Sequence, residues 1–161
     1  MKKLFIISLI SIITLGCEKI VEDLNQNPNN PTSAPYQYTL TAAEVANTVI
    51  HTGSTARRAG ILAGQGTGLD RQHLTYTAHT VTTGSFTSMW SRTFRTVLRN
   101  ILIAKESVIA EGGDGVTLGI TKVIQALALG TATSLYGDIP CDQAGSLEFE
   151  NPEFEKQSVV Y

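Results

Sequence analysis

The stretch "FTSMWSRTFRTVLRNILIAKESVIA", residues 86–110, decides the fold class. At 100° per residue, Trp90, Phe94, Val97 and Ile101 fall within one narrow stripe. Arg92, Arg95 and Arg99 fall on the opposite side. Ser85 has the side chain of an N-cap, and Gly112-Gly113 is a stop signal. The spacing therefore predicts one long amphipathic helix over Phe86–Ala110. Its aromatic and aliphatic face belongs to a core, and its arginine face belongs to water or to a partner.

Downstream, Val116–Tyr136 predicts a second long helix. Ile120, Val123, Ile124, Leu127 and Leu135 make a broad apolar face, flanked by the small residues Gly119, Ala126 and Gly130. An interior glycine costs about 1 kcal/mol relative to alanine, so a closely approaching neighbour helix is the expected compensation. "YGDIP" at 136–140 ends this helix, because Gly137 can adopt the left-handed conformation and Pro140 cannot continue it. Upstream, Tyr36–Ile50 carries Tyr36, Leu40, Ala43, Val45, Ala46, Val49 and Ile50 at helical spacing. Ala56–Ala63 and Arg71–Ala78 are read as a further helical region broken by glycines. No sustained alternation demands a strand. The fold class is all-α, with helix pairs packed antiparallel as in an α-solenoid. No clean repeat of period 34 stands in the letters.

The chain begins differently. Lys2 and Lys3 precede a short apolar run, Leu4–Leu15, of twelve residues. At 1.5 Å per residue these cannot cross a hydrocarbon core of about 30 Å, so they read as an export leader. The run closes on Thr14-Leu15-Gly16-Cys17, which resembles a bacterial lipobox. Thioether attachment of a lipid needs the Cys17 thiol, and several acyl chains anchor stably where one does so only marginally. Leu15 lies one place nearer the cysteine than the usual leucine. Residues 25–35 then hold four asparagines and three prolines, a polar, turn-prone tether. The organisation is thus leader 1–16, lipidated tether 17–35 and helical body 36–161.

Composition narrows the function classes. The 161 residues suffice for one domain with a core. A net charge of −2, becoming about −4 once the leader is removed, argues against nucleic acid. Two cysteines do not make a disulfide framework.

The order of features resembles a known family: the lipobox at Cys17, "DLNQNPNNPT" at 23–32, "MWSRTFRTVLRNILIA" at 89–104, "LYGDIP" at 135–140 and "NPEFEKQSVVY" at 151–161. Together they look like the amino-terminal part of a SusD/RagB-family outer-membrane lipoprotein of Bacteroidota. The resemblance implies a tetratricopeptide-like helical fold and no chemistry of its own. It also implies binding of a glycan or peptide nutrient at the cell surface, as a lid over a SusC-like TonB-dependent transporter. Family members run to several hundred residues, so a truncated chain is expected. Cys141 stands where the family often has an aromatic residue.

Individual residues offer little chemistry. "GQGTG" at 64–68 lacks the preceding strand and the Gly-Lys-Ser/Thr of a phosphate loop and reads as a turn. His51, His73 and His79 have no metal-ligand spacing, and Cys141 has no nearby second thiol, so neither metal nor cofactor is expected. A Cys141–His nucleophilic pair stays open, beside the ordinary reading of a partly buried thiol. Glu148, Glu150, Glu153 and Glu155 read as a solvated acidic loop, with paired catalytic carboxylates or a calcium site as the other reading. Trp90 shares the core stripe; if exposed, it is the candidate glycan contact. Arg92, Arg95 and Arg99 are the candidate docking face. Two rival functions remain open: a surface lipoprotein enzyme, such as a glycosidase, with catalytic residues beyond 161, and a helical docking adaptor.

Overall fold

The computed structural model describes residues 34–161. The leader, the lipobox with Cys17 and most of the tether lie outside the described residues. Among the described residues the fold is helical, and the only β pairing is an isolated antiparallel bridge between Ile139 and Glu155.

Helix α1 spans Tyr36–Thr52 and starts directly after Pro35, whose fixed φ suits a helix entry. Its buried stripe is Thr39, Ala43, Ala46, Asn47 and Ile50. Val45 and Val49, also apolar and at helical spacing, are exposed. The small side chains face inward, and that lets α1 approach its neighbours closely. Two short helices follow, α2 at Ser54–Leu62 and α3 at Arg71–Thr77, and of their residues Tyr76 alone is buried.

The region of residues 86–110 is helical throughout, but its start and pitch differ from the sequence reading. Ser85 is not an N-cap of an α-helix. It closes a capping box with Thr82 over a 3-10 turn at Thr83–Phe86. Helix α4 then spans Thr87–Ser91, a π-helical segment spans Arg92–Leu98, and α5 spans Arg99–Ala110. The backbone stays in the right-handed helical region across both junctions, so these form one long helix. A π turn bonds i to i+5 and rotates less per residue than 100°. The buried stripe therefore steps by four through Met89, Thr93, Val97 and Ile101, and continues through Ala104 and Val108. Trp90 and Phe94 fall on its flank, half-buried.

Helix α6 spans Gly115–Tyr136. The Asp114 side chain accepts from the Thr117 N–H at 2.6 Å and caps its start. Val97 and Ile101 meet Ile124 and Ala128, while Trp90 meets Tyr136, so the long helix and α6 run antiparallel. The α1 residues Ala43, Ala46 and Ile50 complete this core. A second cluster joins Leu98, Leu129, Ala132, Ile139 and Ala144.

The packed face of α6 is not the broad apolar one. Ile124 is buried, but Ile120, Val123, Leu127 and Leu135 are exposed, with Val123 at 60%. The inward face is Thr121, Ala128, Leu129, Ala132 and Thr133 besides Ile124. Buried threonines cost little here because their hydroxyls are satisfied locally: Thr121 donates to Leu118 O and Thr133 to Gly137 O. Among the described residues, the two glycines of the small-residue stripe have no close neighbour either. A Cβ added at Gly119 or Gly130 would meet no heavy atom within 4 Å among the described residues.

Candidate functional site

Four aromatic rings converge where α4 meets the end of α6. Trp90 packs on Phe94 with ring centroids 4.3 Å apart, meets Tyr136 edge-on at 5.1 Å and lies parallel to Phe154 at 6.0 Å. Such offset and edge-to-face arrangements are the favoured aromatic geometries. The Tyr136 hydroxyl donates to Phe86 O at 2.8 Å, tying the end of α6 to the 3-10 turn. Burial pushes the Tyr136 hydroxyl above its usual value, so it stays a donor. Phe154 itself is exposed, and it is the outer ring of this stack.

The "YGDIP" turn is the anchor of the segment that carries Phe154. Gly137 has φ of 80°, which a side chain would resist, and its N–H closes α6 on Thr133 O. Ile139 and Glu155 exchange both backbone hydrogen bonds. Asp138 accepts from the Gln157 N–H at 2.9 Å and so caps the short helix α7, Gln157–Val160. The Gln157 side chain donates to Thr133 O. Sequence reading took the glutamates here as a solvated loop, and Glu148, Glu150 and Glu153 are exposed. Glu155 is different: its Oε1 accepts from the N–H groups of Cys141 and Asp142, at 3.1 and 2.7 Å.

Cys141, Asp142 and Glu155 bring one thiol and two carboxylates within 4.8 Å of one another, the one group among the described residues that could hold a metal. Burial pushes the Cys141 thiol up, and the charges of Glu155 and Asp142 push it further. A thiol held protonated is a poor nucleophile.

The arginine stripe divides. Arg92 and Arg95 are exposed, and among the described residues the one ion pair joins Arg71 to Asp70, so both are free. Arg99 is not free. Its guanidinium donates to Gly145 O at 3.4 Å, where the 144–146 loop packs against Leu98 and Leu102. The π segment turns Arg99 toward that loop.

Two arrangements had no signal in the spacing. Arg58 lies over the rings of Tyr76 and Phe86, at 5.3 and 5.6 Å, joining α2, α3 and the 3-10 turn. His51 bridges α1 to α6, with Nδ1 at 2.8 Å from Asn47 O and Nε2 at 2.8 Å from Thr131 Oγ1. A cleft of about 570 Å³ also opens between α2 and the 65–69 loop. The turn read at 64–68 forms one wall of it.

Comparison with known proteins gives one match. A family model of the SusD-like group, described as "Starch-binding associating with outer membrane", matches residues 28–161. No curated protein and no solved structure matches the chain.

Proposed function

The chain belongs to the SusD-like family of outer-membrane-associated binding proteins, and from that premise we propose that it captures nutrients at the cell surface for a SusC-like TonB-dependent transporter. The nutrient is a glycan or an oligopeptide. Lipid on Cys17 holds the protein in the outer membrane, and the polar tether at 17–35 lets the helical body stand off it. The family match over 28–161 carries this reading. The aromatic stack at Trp90 and Phe154 supports it as the most concentrated ring surface among the described residues, and sugar rings pack their C–H faces on such surfaces. Arg92 and Arg95 are the cations available for docking the transporter, with Arg99 contributing only if its bond to Gly145 opens.

The anchor is tested by labelling cells with an alkyne fatty acid. Wild-type chain should take the label and sediment with membranes, and Cys17→Ala should do neither. Undiminished label in the variant would remove the lipid anchor from the reading. The partner is tested by co-purification after crosslinking, where loss of a large outer-membrane protein is expected with Arg92→Glu/Arg95→Glu.

A further inference from the structure

The cleft between α2 and the 65–69 loop lies apart from the aromatic stack, and its lining is chemically one-sided. Arg57 and His73 line it, with Gly60, Ile61, Gly68 and Leu69 among the other walls, and no carboxylate does. The nearest carboxylate in sequence, Asp70, is already paired with Arg71 at 3.5 Å. Arg57 has no ion-pair partner among the described residues. Among the described residues the buried Nδ1 atom of His73 has no hydrogen-bond partner, although buried polar atoms normally have one.

The wall is fixed rather than loose. The Gly68 N–H donates to Thr77 Oγ1 at 2.7 Å, and a Cβ at Gly68 would come within 2.1 Å of His73 O. Only glycine permits this approach, which seats the loop on α3 and brings His73 to the cleft. A volume of about 570 Å³ lies in the range of ligand sites, roughly 300–1,000 Å³.

We propose that this cleft binds the carboxylate of an anionic saccharide, a uronic acid unit, on Arg57. The planar guanidinium matches a carboxylate in a charge-assisted, bidentate pair. Ile61 and Leu69 offer apolar surface to the C–H face of the ring, and His73 lines the cleft beside them. The proposal rests on the nutrient-capture reading and names a ligand class for it.

The test titrates the full chain in detergent with digalacturonic acid and with its methyl ester, in which each carboxylate is capped by a methyl group and loses its charge. The acid is expected to bind roughly tenfold more tightly. Arg57→Gln should remove that preference, and Lys122→Gln, at an exposed cation outside the cleft, should keep it. Backbone amide shifts should concentrate at Gly66 and Gly68. Equal binding of acid and ester, or an unaffected Arg57→Gln variant, would overturn the proposal. Displacement by an equal concentration of sulfate would also overturn it, leaving a general anion site. Glycans bound with no preference for the acid and independently of Arg57 would sink this site and leave nutrient capture standing. Acid bound here by a chain that captures nothing on cells would do the reverse.

Discussion

Thr93 lies in the middle of the long helix, fully buried, with a hydroxyl that has no partner among the described residues. An unsatisfied buried hydroxyl costs about 1–3 kcal/mol, and an apolar group of the same shape avoids that cost. Thr93→Val should therefore stabilise the protein by about 1 kcal/mol in urea denaturation. A loss of stability would mean that the hydroxyl has a partner in solution. Trp90 and Arg95 separate packing from charge. Trp90 touches three rings but is only half-buried, so Trp90→Ala should cost about 2 kcal/mol, less than the 3–5 of a fully buried ring. Arg95→Ala should stay within about 0.5 kcal/mol. Equal losses at both positions would show the helix facing the other way. At this scale the sequence was partly legible. The pairing of Trp90 with Phe94 follows from their i, i+4 spacing. The Glu155 clamp on Cys141 and Asp142 does not, because it depends on a bridge between segments far apart in the chain.

Elements were read more surely than their faces. The two long helices follow from periodicity, glycine stops and "YGDIP". Their orientation was hidden by two physical facts. The π segment changes the rotation per residue, and that moves Leu98 into the core and Arg99 onto Gly145. In α6, small and self-satisfied residues pack inward while larger aliphatics face outward, against the rule that the greasiest face is the buried one. The α6 start provides a test of capping. Hydrogen bonding to Thr117 holds the Asp114 carboxyl below its usual value. A depressed folded-state pKa means stability that is present above the unfolded value and lost as pH falls through the folded one. Asp114→Ala should thus lower the Tm at neutral pH, and the difference from wild type should shrink as pH falls below 3.8, the ordinary carboxylate value. A difference independent of pH would rule out the charged cap.

Across the described residues, the outward face of α6 is the prominent exposed apolar surface. Val116, Ile120, Val123 and Leu127 succeed one another at helical spacing, and all are exposed. Contiguous apolar patches of this kind mark interaction surfaces. Expressed without residues 1–16, the chain should bind a hydrophobic dye, and Val116→Ser/Val123→Ser should reduce that binding without unfolding the helices. Unchanged fluorescence would place the dye elsewhere. Family membership was legible because it rests on the order of several motifs along the chain. The cleft at Arg57 was not legible, because its walls come from a helix and a turn that no spacing rule joins. The central claim is that this is a binding protein for surface nutrients. It is tested most directly by incubating the full chain with an array of glycans and oligopeptides, then recovering each bound ligand and measuring its mass. The account predicts saturable binding to at least one class with the ligand returned intact. Ligand recovered as cleaved products, or no saturable binding to any class, would contradict it.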